Sequence, residues 1–446
     1  MPAITGTTGD DVLNGTEFDD TITGLAGADI IGTGSGQDHA FGGLGDDNLD
    51  GFGNDSLYGG DGNDHLSSNS SSDVTGLIRG GAGDDEVTVF SNSTGGDLRG
   101  GDGIDRLSMY IGSAALHLDL GLDLVDAGPT AFVGLMFSGF ERLFVSAGDG
   151  DDSIIGADQA DVIRVAGGAN FVDLAGGDDV VEYQTRDANT LYGGDGADTL
   201  MANSGTSSLY FIVDTFDGSV DDGSLSTIAG FEHYNVTGAE QNDIASLGAL
   251  RDVFYGGEGA DTGIGGGGGD LLFGGAQNDS LRGDIGRDRL YGGNGADMLY
   301  GGFGDDVIHG GPGLDTIFGG VGNDRINLYI GNDQVSGGTG ADSFEFTRNQ
   351  WGLHEITDFE TGVDKLTYAG MFLPGGAPPA GPLDPALLAY RTATGPAAQF
   401  VVTYSVSDDL TTLLWDPNGD IPSGGTYAVV TLTGAVNLTA ADIFIV

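Results

Sequence analysis

Aspartate returns at every ninth residue over two long stretches of this chain, each time behind a cluster of glycines. From residue 256 to 345 ten nonapeptides follow without interruption, among them GGNGADMLY (292–300), GGFGDDVIH (301–309), GGPGLDTIF (310–318) and GGVGNDRIN (319–327). Their sixth place is always Asp: Asp261, Asp270, Asp279, Asp288, Asp297, Asp306, Asp315, Asp324, Asp333 and Asp342. A second run, residues 6 to 67 with one deletion near Gly51, puts Asp11, Asp20, Asp29, Asp38, Asp47, Asp55 and Asp64 in that place. Between the runs the pattern persists at 80–88, 100–108, 147–155, 156–164 and 193–201. Glycine at places one, two and four permits positive φ, so a six-residue loop can turn sharply and aim carbonyl oxygens inward. Carboxylate and carbonyl oxygens in an irregular cage suit a hard divalent cation, and calcium tolerates such a cage better than magnesium, which demands a strict octahedron.

No other chemistry survives inspection. HExxH and GxSxG do not occur, and a phosphate-binding loop would need a lysine where only Lys365, followed by Leu366, is present. His39, His65 and His309 fall at outward strand places and read as solvated; His117, His233 and His354 lie on apolar segments and read as structural. Neighbouring pairs such as Asp46 with Asp47 or Asp305 with Asp306 imitate acid/base carboxylates, but a bound cation would hold them ionised. The chain is therefore read as a non-enzyme, an unrecognised site within 109–255 being the one exception kept open.

The remaining places of the nonapeptide say what carries the loops. Places seven to nine run polar, apolar, polar, a minimal strand whose middle side chain faces inward. In the ten-repeat run place eight is apolar throughout except at Gly263. Two nonapeptides make one flattened coil, and coils stack at the spacing of hydrogen-bonded strands, about 4.8 Å. One buried apolar side chain does not offset the ordering of nine residues, and stacked carboxylates repel one another. A cation between the loops relieves both difficulties, so the expected fold is all-β: a parallel β-roll or β-solenoid that needs its metal.

Composition agrees. The 446 residues include 86 Gly, and 58 of the 68 acidic residues are Asp, against only 14 Lys plus Arg. A formal charge of -54 excludes nucleic-acid binding, which needs a basic footprint, and an anionic membrane surface would repel the chain. No apolar run spans a bilayer, so membrane insertion is not expected, and the N-terminal MPAITGTTGDD lacks the features of a secretory signal peptide. There is no cysteine, hence no disulfide framework. With 22 Phe and 14 Tyr the chain holds too much apolar material for solvated disorder.

The nonapeptide resembles the RTX, or haemolysin-type, calcium-binding repeat of secreted bacterial proteins, whose repeats form a calcium-binding β-helix. The resemblance implies a β-roll with two nonapeptides per turn and calcium held between successive loops. Carried over residue by residue, it implies as ligands the Asp residues above together with Asp85, Asp105, Asp152 and Asp198, joined by carbonyls of the loop glycines. Roughly 15–20 ions would be expected. At cytosolic calcium the array would stay unfolded, and folding would follow emergence outside the cell.

Four regions follow: an N-terminal RTX β-roll (1–108), degenerate solenoid rungs with lateral insertions (109–255), a central roll of ten nonapeptides (256–345) and a C-terminal cap (346–446). Within the second region, SGFERLFVSAGDGDD (138–152) and AGFEHYNVTGAEQND (229–243) read as longer rungs without calcium loops. ADSFEFTRNQWGLHEITDFETGVDKLTYAG (341–370) resembles the segment closing RTX arrays in serralysin-type proteases, and the closing Asp442, Ile443, Phe444, Ile445 and Val446 are similar to the tail of type I ABC exporter substrates. The Pro-rich run 374–385 reads as a surface loop. An uncapped N-terminal coil would offer a strand edge to another copy, giving a non-closing assembly. The function expected is a secreted calcium-binding structural protein of a surface layer, sheath, filament or biofilm matrix, with cell-surface polysaccharide as a further partner. The alternatives are an extracellular, polysaccharide-active enzyme and an adhesin with an aromatic platform at Trp351 or Trp415.

Overall fold

In the computed structural model the described residues are 2–52, 54–68, 76–90, 96–110, 117–119, 124–125, 135–184, 188–204, 210–213, 220–221, 227–346, 353–368, 381–382, 388–390, 399–405, 410–416, 427–433, 436 and 438–445. Among them the only helix is the single 3-10 turn Ala440–Asp442; the rest is short strand and turn. The all-β expectation is met. The residues gather into two compact units, one of Met1–Asn203 with Phe216–His233, the other of Ser204–Thr215 with Tyr234–Val446.

Where the nonapeptides run uninterrupted, each unit coils with a register of 18 residues, two nonapeptides to a turn. In the second unit one sheet aligns Leu281, Leu299, Ile317 and Val335 in parallel. The facing sheet aligns Leu272, Leu290, Ile308, Ile326 and Phe344. All of these place-eight side chains are buried, and the two columns together are the core. The first unit repeats the arrangement with Ile22, Ala40, Leu57, Ile78 and Leu98 against Ile31, Leu49, Leu66, Val87 and Leu107. Gly263, the apolar exception, has its vacancy filled: a Cβ there would meet the ring of buried Phe254 at 2.5 Å.

Place nine shows what the register does to outward side chains. Tyr255, Phe273, Tyr291 and His309 stack face to face at 4.9, 4.8 and 4.6 Å, the repeat of the strands beneath them. Phe41 with Tyr58 and Tyr300 with Phe318 do the same at 4.8 Å.

Where the nonapeptide lapses the sheets are spliced rather than ended. Leu135–Ser138 pairs in parallel with Gly96–Asp102, Leu124–Val125 runs antiparallel to it and to His117–Asp119, and His117–Asp119 returns to parallel pairing with Ser153–Ile155. The second lapse has a similar reversal at Val220–Asp221 against Thr227–Ala229. Toward the C-terminus, Tyr427–Thr433 joins His354–Ile356 in parallel and carries the antiparallel strand Leu410–Asp416, while Ile443–Ile445 joins Lys365–Tyr368. Most of the Pro-rich run, Trp351 and Val446 lie outside the described residues.

Candidate metal centre

The strands fix the loops between them, and the loops fix a file of carboxylates. Along most of each file the place-six Asp accepts, through Oδ1, the amide of the Asp one turn earlier: Asp11 N–H to Asp29 at 2.8 Å, Asp29 N–H to Asp47 at 2.8 Å, Asp261 N–H to Asp279 at 2.8 Å, Asp279 N–H to Asp297 at 2.9 Å. Its own carbonyl accepts from the strand of the next turn, as Asp270 does from Arg289 N–H at 2.8 Å. A second file runs the opposite way. Place-five side chains accept the amide one turn later, as Asp10 does from Ala28, Asp46 from Asn63 and Asp305 from Asn323.

The second oxygen of the place-six carboxylate is the one the fold leaves unanswered. At Asp29, Asp38, Asp47, Asp64, Asp85, Asp105 and Asp198 in the first unit, and at Asp261, Asp270, Asp279, Asp288, Asp297, Asp306, Asp315, Asp324 and Asp342 in the second, Oδ2 is buried without a hydrogen-bond donor. A buried, unpaired carboxylate oxygen is costly. In its place stand other oxygens. A Cβ built on Gly256 would lie 2.5 Å from Gly274 O and nearer still to Asp261 Oδ2; on Gly301 it would lie 2.5 Å from Asp306 Oδ2 and nearer to Gly319 O. Glycine at place one therefore leaves a hollow with a carboxylate oxygen and a carbonyl of the next turn on its walls. Among the described residues no three carboxylate or imidazole groups converge on one point, so these hollows pair side-chain with main-chain oxygen. That donor set fits a hard divalent cation.

Electrostatics point the same way. Burial pushes the Asp270 and Asp179 carboxyls up to about 8, and those of Asp85, Asp279, Asp315 and Asp324 to about 7, with neighbouring acids adding to the rise. Asp64, Asp105, Asp261, Asp306 and Asp342 are raised to about 6 by burial in the same way. Main-chain hydrogen bonds oppose the shift without cancelling it. Without a positive partner the file resists ionisation.

Backbone conformation at place two separates these loops from a second kind. Wherever a described residue at that place has positive φ, Oδ2 stays unpaired; Gly275 (φ 119°), Gly293 (108°) and Gly320 (120°) are examples. Among the described residues three that are not glycine adopt positive φ, and all three sit in such loops: Leu25 and Asp284 at place two, Gln277 at place four. In the other kind the loop closes on itself. Thr7 N–H donates to Asp11 Oδ2 at 2.5 Å, Thr16 N–H to Asp20 at 2.6 Å and Phe52 N–H, beside the deletion, to Asp55 at 2.8 Å. Asp333 is answered differently: His354 Nδ1 lies 2.8 Å from its Oδ2, both side chains buried. Asp152 stands in the column and donates its amide to Asn170 Oδ1 at 3.0 Å.

Other members of the column carry no full glycine signature; of these, only Asp161, the sixth place of the repeat at 156–164, falls in a stretch where the sequence shows the pattern. Asp161, Asp243, Asp252 and Asp364 accept from the residue four places earlier, and buried Asp179 follows Asp161 in the file. Glu141 and Glu232, in the two Gly-Phe-Glu segments, also take up the Asp position: Asp105 N–H donates to Glu141 Oε2 and Asp198 N–H to Glu232 Oε2, each at 2.9 Å. The signal that finds them is distance along the chain from a column partner, once loops of unequal length are allowed.

The family model of the RTX calcium-binding nonapeptide repeat (4 copies) matches residues 5–40, 41–74, 146–181, 185–209, 237–272, 273–308 and 309–344, together more than half of the chain. No curated protein matches. Among solved structures, the solution structure of the AlgE6R3 subunit from the Azotobacter vinelandii mannuronan C5-epimerase is similar over 38% of this chain and 78% of its own, at 24% identity and a TM-score of 0.24.

Proposed function

Since the chain belongs to the RTX calcium-binding nonapeptide-repeat family, we propose that it is a secreted structural protein that folds outside the cell on taking up calcium and then self-associates into a surface layer, sheath, filament or biofilm matrix. The observation that carries this reading is the file of buried, donor-free Oδ2 atoms beside place-one glycines. The ligands are the unpaired carboxylates from Asp29 to Asp198 and from Asp261 to Asp342, completed by main-chain carbonyls such as Gly274 O and Gly319 O. Calcium supplies the positive charge that these oxygens lack; the chain's part is to hold them in register and bury them.

Export through a type I ABC transporter fits the same scheme, because an array without its cation stays unfolded at cytosolic calcium and becomes rigid at the millimolar level outside. Self-association would use the strand edge of Ala3–Thr5 and Val12–Asn14, where Val12 is 69% exposed. Electron microscopy of the protein in millimolar calcium, and again after chelation, tests ion dependence and assembly together. Ordered assemblies that vanish on chelation are expected. A monomer that keeps its β-structure in EGTA would overturn the proposal.

A further inference from the structure

The two Gly-Phe-Glu segments lie outside the matched repeats, and the sequence reads them as rungs without calcium loops. Their geometry differs from that reading. Gly139 (φ 69°) and Gly230 (φ 78°) turn the chain. Phe140 and Phe231 bury their rings, and Glu141 and Glu232 bring a carboxylate to the position of the next Asp in the file. Main-chain contacts reproduce the regular turn as well. Glu141 and Arg142 N–H both donate to Asp105 O at 3.0 Å, and Glu232 and His233 N–H donate to Asp198 O at 3.1 and 3.0 Å.

What identifies a site is the pair of oxygens beneath each Glu. Asp105 Oδ2 and Asp198 Oδ2 are fully buried and have no donor. A Cβ on Gly193 would lie 2.7 Å from Asp198 Oδ2 and closer still to Gly230 O; one on Gly100 would lie 2.5 Å from Asp105 Oδ2 and closer to Gly139 O. The same two walls, a place-six carboxylate oxygen and the carbonyl of the glycine in the next turn, frame the hollow between Asp261 and Gly274. Gly-Phe-Glu reaches the file in three residues where the nonapeptide uses six, and the extra methylene of Glu makes up the reach.

We propose that Asp105, Gly139 O and Glu141, and likewise Asp198, Gly230 O and Glu232, form two further sites for a divalent cation of the calcium class, each closing a run of loops before an insertion. The inference rests on the calcium reading of the regular loops and extends it to a different sequence. A half-buried Glu adds a second negative oxygen donor next to a fully buried, unpaired Asp, and two carboxylates at one hollow repel each other unless a cation lies between them.

Anomalous diffraction from crystals of the calcium-loaded full chain tests this directly. Peaks are expected beside Gly100 and Gly193 as well as beside the regular place-one glycines. Peaks at the regular loops with none at these two overturn the inference alone; peaks nowhere overturn the calcium reading itself. In solution, equilibrium dialysis of the E141Q–E232Q chain should show two fewer ions per chain. Gln keeps the acceptor for Asp105 and Asp198 N–H, so a merely structural role would leave the count unchanged, and that result would sink the proposal.

Discussion

Asp279 donates its amide to Asp297 Oδ1 at 2.9 Å, while Asp297 Oδ2, on the same carboxylate, is buried with no donor. One oxygen builds the stack and the other is kept for a ligand. Asn at position 297 preserves the first role and removes the second. D297N is expected to fold, to bind one calcium fewer, and to weaken binding at its neighbours by about tenfold, in keeping with the dependence of calcium affinity on ligand charge. Equilibrium dialysis and a calcium titration followed by circular dichroism check both effects.

Acid should substitute in part for metal. The folded-state pKa values of about 6 to 8 at Asp64, Asp85, Asp179, Asp270 and Asp279 stand above the ordinary 3.8, so the metal-free roll binds more protons than the unfolded chain. The stability from those protons is fully present below the unfolded value and is lost as pH rises through 6 to 8. In EGTA, β-structure should therefore be strongest near pH 4 and fade toward pH 8. With calcium present the trend reverses, since protons compete for the ligand oxygens. Circular dichroism against pH in both buffers is the measurement; a flat EGTA profile would contradict the electrostatic account.

The pairing of Gly263 with Phe254 makes a packing prediction. F254A opens a cavity that no neighbour fills, costing about 3–5 kcal/mol. G263A drives a methyl into the Phe254 ring, and the double variant F254L–G263A should recover part of that loss. Denaturant midpoints of the calcium-loaded chains decide the matter.

Leu25 holds φ at 90°, a region that costs an L-residue roughly 1–2 kcal/mol. L25G should raise the denaturant midpoint in calcium, with a gain of about 1 kcal/mol after the added freedom of the unfolded glycine is discounted. T16G, in a loop whose amide closes onto Asp20, has no such strain to release and should destabilise.

Period and composition were enough to read the roll. A nine-residue repeat with one inward apolar place leaves little else for the backbone to do, and the observed 18-residue register of Leu281, Leu299 and Ile317 follows from it. What could not be read was which carboxylates would be answered from within. Asp20 and Asp29 hold the same sixth place, each five residues after a glycine and with a non-glycine residue at place two, yet Thr16 N–H reaches one and the positive φ of Leu25 spares the other. That difference is set by a single dihedral angle, which residue type does not fix when the place is not glycine. His354 beside Asp333 was hidden for another reason: it sits 21 residues on, past a loop of irregular length. Gly-Phe-Glu lacks the glycine signature, although its carboxylate joins the same file.

The spacing along that file carries a last consequence. Successive partners lie 18 residues apart at Asp11 and Asp29, 17 at Asp38 and Asp55, 21 at Asp64 and Asp85, and 36 at Asp105 and Glu141, yet each pair closes with the same amide-to-carboxylate link. Strand and column are conserved while the slack is taken up between them. Such a scaffold behaves like a bookshelf with fixed brackets: turns of 17 to 36 residues fit between the same supports, the difference being taken up in the loops.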